Sequence, residues 1–253
     1  MAIVYLCGQA FGMFVFPFGM LYDWFGPRVV VAVGSIISAL GHLLFALAFA
    51  GHIDVSVTNC SIFYGLMCWG CYALDVAVLP AVLGHMPRDR GQPTGVLETF
   101  SGLGTSFFAC LFRGFFNNNF ENLMWFMFAV TVVVGVVGTW YMEDAPYMVN
   151  RWQQRTITPR EQLRKYLIRN RYMSQLVPQR RYSFMTVILV LLNFYLTIQA
   201  VVVAYLPEKM TPGKLRGIAI GSIIIVVLIL ILMVPLHIID GPTEQDKQVI
   251  EAA

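Results

Sequence analysis

The chain has 253 residues, of which 58% are hydrophobic and 12% charged, with a formal net charge of +3. Soluble domains carry about 25% charged residues, and a soluble chain this apolar would present large adhesive patches to water. An ordinary soluble enzyme, a disordered chain and a nucleic-acid-binding protein are all excluded, and a polytopic membrane protein is the class that remains.

A spanning helix needs about 20 mostly apolar residues. Seven segments meet that length, near 1–22, 29–50, 60–84, 94–116, 122–142, 183–206 and 217–239. The predicted fold class is therefore an all-α polytopic membrane protein of about seven transmembrane helices. The first span holds Gly8-x-x-x-Gly12, a seam for close helix packing, and Pro17, which would kink it. Gly91-x-x-x-Gly95 repeats the spacing at the start of the fourth span, and Pro80 lies inside the third. Asn59-Cys60-Ser61 matches a glycosylation triplet but abuts the membrane. Cys68-Trp69-Gly70-Cys71 has redox spacing, yet it lies within a span, where small residues pack.

The connections are short except for 143–182, a polar linker with nine Lys/Arg and three Asp/Glu. Within it, Thr158-Pro159-Arg160-Glu161 sets a capping Thr, a Pro at the first helical position and a Glu three residues after the cap. The predicted helix would carry Leu163, Tyr166, Leu167 and Ile168 on one stripe and Arg160, Arg164, Lys165, Arg169 and Arg171 on a basic face. Such a helix suits anionic inner-leaflet lipids; the plainer alternative is a solvated connector. A polar tail follows at 240–253.

Orientation follows the basic residues. Alternation of seven spans puts thirteen Lys/Arg on one side, including Arg28, Arg88, Arg90, the linker bases and Lys247. It puts four on the other, Arg113, Lys209, Lys214 and Arg216. The richer side is expected to be cytoplasmic, with the N-terminus outside and the C-terminus inside. Which membrane holds the protein is not written in the sequence.

Ionisable groups at bilayer depth cost about 2.5–3.5 kcal/mol on insertion scales and are functional candidates. Asp75, in the third span, is the foremost, as a proton or substrate site. Glu98 lies near the start of the fourth span, His42 midway through the second, and Gln9 in the first; these complete the set of substrate or proton-coupling candidates. A relay between His42 and Asp75 competes with a histidine satisfied between helices. His237 sits near a membrane boundary. No catalytic constellation, metal-ligand cluster or phosphate-binding loop stands out, so no enzymatic activity, cofactor, metal or nucleic-acid partner is expected.

The loop Gly19-Met20-Leu21-Tyr22-Asp23-Trp24-Phe25-Gly26-Pro27-Arg28 resembles the signature loop of the major facilitator superfamily, G-x-x-x-D-x-x-G-R-[RK]. Gly19, Asp23, Gly26 and Arg28 match; Pro27 replaces the first basic residue. A Gly near the helix end permits close approach, Gly26 a tight turn, and Arg28 either a pairing with an acid or an anchor at the headgroups. The resemblance implies a conformational latch between two helix bundles, with Asp23 facing the second. It also implies that residues 1–142 are a first bundle matching family helices two to six, 143–182 the central linker, and 183–239 the start of the second bundle. On that count the chain is expected to be a fragment lacking the first helix and most of the second half.

A narrower resemblance is to the nodulin-like branch. It is carried by Gly34 and Gly41, by Pro87-Arg88-Asp89-Arg90-Gly91, and by Gly95-Val96-Leu97 followed by Ser101-Gly102-Leu103. Met86 precedes the Pro, and Glu98 stands where that branch commonly has Lys, so no substrate role at that position is carried over. The implied function is a secondary-active or facilitative transporter of a small solute, with proton coupling resting on Asp75 and His42. A non-transporting scaffold docking through the linker is the alternative, and a seven-helix receptor a more distant one.

Overall fold

The computed structural model describes residues 2–88, 90–174, 179–205 and 211–233, and only the backbone of 171–174, 179–181 and 232–233. The tail at 240–253, Lys209, His237, Lys247 and the side chain of Arg171 lie outside the described residues. The described residues form helices and no strand: α1 Ala2–Met13, α2 Phe16–Phe25, α3 Pro27–Phe49, α4 Val57–His85, α5 Gly91–Phe115, α6 Phe120–Tyr141, α7 Arg151–Gln154, α8 Pro159–Ser174, α9 Gln179–Tyr205 and α10 Pro212–Met233. Seven stretches among them are long and apolar enough to cross a membrane. Six fall within three residues of the expected bounds, and the last runs Pro212–Ile231 where 217–239 was expected. Their outer faces leave large apolar side chains bare, Val133, Val136 and Trp140 among them, which suits a lipid solvent rather than water.

The first span is broken where the hydropathy runs on unbroken. Pro17 has no N–H for the ladder, and α1 stops at Met13 while α2 starts at Phe16. Phe18 N–H turns to Val15 O at 3.0 Å. The carbonyl of Phe14, left without its helical donor, accepts the Trp69 indole N–H at 2.8 Å. Pro80, by contrast, sits inside an uninterrupted α4.

The chain divides into two compact units, 1–88 with 119–175 and 89–118 with 176–253. In the first unit α3 packs against α4 and α6, and α1 packs against α4. Lipid tails are as apolar as the helices, so association rests on close packing through small residues. A Cβ on Gly41 would stand 2.6 Å from Met67 N, and one on Gly70 2.4 Å from Ser38 N. Neither position admits any side chain without moving a backbone. The core there is correspondingly small, with Ala73, Ala77, Val30, Val31 and Phe18 buried. Gly8 and Gly12 fit against the rings of Tyr64 and Tyr72, as the seam requires. A Cβ built on Gly91 or Gly95 would meet nothing within 4 Å among the described residues.

In the second unit α5 packs against α9 and α10, although the sequence groups it with the four spans around it. The fit explains the pairing. Gly114 faces Ala219 and Leu215 O, and Cys110 and Leu111 enter a core with Leu189, Leu192, Leu196 and Ile229. Tyr195 stays satisfied there by donating to Ile218 O at 2.8 Å.

Local chemistry starts the helices. Ser56 Oγ accepts Asn59 N–H at 3.1 Å to open α4, and Asn119 Oδ1 accepts Asn122 N–H at 3.3 Å to open α6. The Asn59 side chain is itself engaged, donating to Asp54 O at 2.9 Å. α8 begins at Pro159, as expected, with Glu161 accepting from the Thr158 N–H and hydroxyl, each at 3.1 Å. That is the reciprocal half of a capping box. The Thr hydroxyl donates to the carboxylate instead of capping an N–H.

Candidate functional site

The signature-like loop closes on the segment that follows α6. Gly26 ends α2 with φ +86° and its N–H on Tyr22 O at 2.8 Å. This left-handed conformation favours glycine, and a Cβ would also stand 2.6 Å from the Asn150 amide and 2.9 Å from Asp144 Oδ2. Pro27 then opens α3 at its first position, where a missing N–H costs nothing. The Tyr22 hydroxyl donates to Asp144 Oδ1 at 2.7 Å. With its amide turned to satisfy both neighbours, Asn150 donates to Asp144 Oδ2 at 3.1 Å and accepts from Gly26 N–H at 3.2 Å. Arg28 donates through Nε to Met142 O at 2.9 Å and pairs through Nη2 with the Glu143 carboxylate.

Further contacts tie the same end together. The Tyr147 hydroxyl donates to Gly84 O, at the end of α4, and Met148 covers Gly84. Lys165 of α8 donates to Met148 O at 2.9 Å and to Gln153 Oε1 at 3.4 Å. Trp152 stacks on Phe25 with centroids 6.2 Å apart, and the Arg155 guanidinium lies over the Trp24 ring. A cleft of about 300 Å³ opens among Pro27, Arg28, Glu143, Asp144, Asn150 and Lys165. Three connections that alternation assigns to one side, after α2, α4 and α6, thus meet at one end of the first unit.

Of the four loop residues expected as a latch, Gly26 makes the turn between α2 and α3, and Arg28 reaches Glu143. Asp23 is exposed, and among the described residues no ion pair holds it. Among the described residues nothing lies within 4 Å of a Cβ built on Gly19. Glu143, Asp144, Asn150 and Tyr22 are the partners that sequence reasoning missed. Glu143-Asp144 was visible as an acidic pair opening an otherwise basic linker.

Inside the spans, Tyr72 of α4 donates to Gln9 Oε1 of α1 at 2.9 Å. Asp75 is exposed on α4, one helical turn after Cys71 and Tyr72. Gln9 thus meets the Tyr72 phenol, and Asp75 lies three residues further along the same helix. His42 is buried, with Nδ1 at 2.8 Å from Ser38 O of its own helix. Ser38 Oγ in turn lies 3.4 Å from Cys71 Sγ. Glu98 is exposed on α5 in the other unit. The cysteines are free thiols.

Seven apolar spans, a charged clamp at one end of the first unit and polar side chains meeting inside its spans define a membrane transporter in general terms. The family model described as Major Facilitator Superfamily matches residues 1–239, and the chain belongs to that superfamily. No individual curated protein and no solved structure matches it.

Proposed function

We propose that the chain carries a small solute across the bilayer by alternating access, as a secondary-active or facilitative transporter of the nodulin-like branch. The observation that supports it most is the Tyr72–Gln9 hydrogen bond between two spans, with Asp75 one turn further along α4. An acid there is costly unless it serves binding or coupling. In this reading Asp75 binds the coupling proton or a cationic group of the solute. Gln9 and Tyr72 fix its surroundings, and His42 packs α3 on α4. The loop 19–28 is the latch, closed through Tyr22, Gly26 and Arg28 onto residues 142–150. The clamped end is cytoplasmic, with the N-terminus outside, because the basic residues collect there.

The test is proteoliposome flux across a panel of sugars, amino acids, carboxylates and inorganic anions, with a pH-sensitive dye inside. The expected result is flux of one class, with accompanying proton movement that Asp75→Asn removes while the protein stays folded. Absence of flux for every class, together with saturable binding of a cytosolic protein to residues 143–182, would replace transport by the scaffold reading. Flux whose proton movement survives Asp75→Asn would leave transport standing and remove Asp75 from coupling.

A further inference from the structure

Three features set α8 apart. The first is where it is held. Phe25 and Trp24 end a membrane span, and the linker is pinned to them by Trp152 and Arg155. Residues 142–155 therefore run along a membrane boundary, and Lys165 ties the middle of α8 to Met148 and Gln153 of that segment. Trp and Arg at such a boundary are the expected interfacial anchors.

The second is how the helix is rotated. Lys165 and Ile168, three residues apart, turn inward and are the two partly covered side chains between Pro159 and Asn170. The opposite face carries Leu163, Tyr166 and Leu167 at i, i+3 and i+4. These are 62%, 58% and 62% exposed. Protein packing uses the face of Lys165 and Ile168 and leaves the Leu163, Tyr166 and Leu167 stripe bare.

The third is the charge along that stripe. Arg160 and Arg164, four residues apart, follow the edge beside Leu167. Arg169, three residues after Tyr166, follows the other edge. All three are exposed. The only acid of α8 is Glu161, which is engaged with Thr158 and lies one turn from Lys165 on the inward side. An apolar stripe between two rows of arginine matches a surface that is apolar below and anionic at its rim. Acyl chains under phosphate headgroups present that pattern.

We propose that α8 lies in the headgroup region of an anionic leaflet. Leu163, Tyr166 and Leu167 enter the acyl boundary, while Arg160, Arg164 and Arg169 pair with lipid phosphates. Each arginine adds attraction to a negatively charged leaflet that fades within a Debye length and falls with salt. The helix then ties the linker to lipid composition without taking part in solute binding.

Hydrogen–deuterium exchange of the full chain tests this in phosphatidylcholine nanodiscs with and without phosphatidylserine. Both faces of a nanodisc carry the same lipid, so the outcome depends on neither orientation nor transport. Amides of 160–170 are expected to exchange at least about tenfold more slowly in the phosphatidylserine discs, and high salt reverses the difference. The triple variant R160Q/R164Q/R169Q loses the protection, as does L163S/L167S. All five positions are exposed, so the fold survives. Equal exchange in the two kinds of disc, or protection that persists in the arginine variant, overturns the proposal. Protection gained only when cytosolic protein is added to neutral discs assigns the face to a protein partner and overturns it too.

Discussion

The interior of the first unit and its clamped end are held by different physics. Between α3 and α4 the helices touch through Gly34, Gly41 and Gly70, with backbone almost against backbone and buried side chains no larger than they must be. At the clamped end α2 and the start of α3 are tied to the segment after α6 by a phenol, two carboxylates, an amide and a guanidinium, reaching across more than a hundred residues of sequence. Small-residue packing has one good arrangement, and any added atom disrupts it. A polar clamp can open, hydrate its groups and close again at modest cost, because water replaces each hydrogen bond. A latch needs the second kind of contact and a bundle needs the first.

Substitution should separate the two. The largest effect is expected at the packed interior. Gly70→Leu drives a side chain into Ser38 and the α3 backbone, and should destabilise the detergent-solubilised protein by about 3 kcal/mol, read from its thermal melt. At the clamp, Asp144→Asn weakens the acceptor of both Tyr22 and Asn150 and should cost about 2 kcal/mol, since hydrogen bonds to charged groups are the strong ones. Its amide exchange should quicken at 142–150 and leave α3 and α4 protected. Arg28→Gln should cost only about 0.5 kcal/mol, because both members of its ion pair are largely exposed. If it matched Gly70→Leu, the division between rigid interior and yielding clamp would be lost.

The smallest expected effect lies at the start of α8. The Thr158 N–H, and after it the Thr158 hydroxyl, hold the Glu161 carboxyl below the usual range. A depressed carboxylate supports the helix start above its unfolded pKa, and the support disappears as pH falls through the lower folded value. Exchange in the first turn, corrected for intrinsic rates, should quicken on acidification. Glu161→Gln should remove that pH dependence.

The sequence reveals the two regions unequally. The spans are legible because about 20 apolar residues in a row mean one thing in a bilayer. The break at Phe14 and Val15 was signalled by Pro17, yet hydropathy averages across it. The start of α8 was written in Thr158, Pro159 and Glu161. Gly26 and Arg28 were legible by type and spacing, whereas Glu143 and Asp144 were not, because nothing local names a partner some 115 residues away. For the same reason the periodicity of α5 could not show that it packs on α9 and α10. A Cβ built on Gly19 would meet nothing within 4 Å among the described residues. Small residues permit close approach without requiring it.

The most direct measurement of the clamp is a double-mutant cycle on Tyr22→Phe and Asp144→Asn, with unfolding followed in detergent micelles. A bond made through this phenol and this carboxylate predicts a coupling of about 1–2 kcal/mol. Single effects that add to within about 0.3 kcal/mol would mean that the two groups do not act on each other. The Tyr22–Asp144 contact would then add nothing to the hold of the loop 19–28 on the segment after α6.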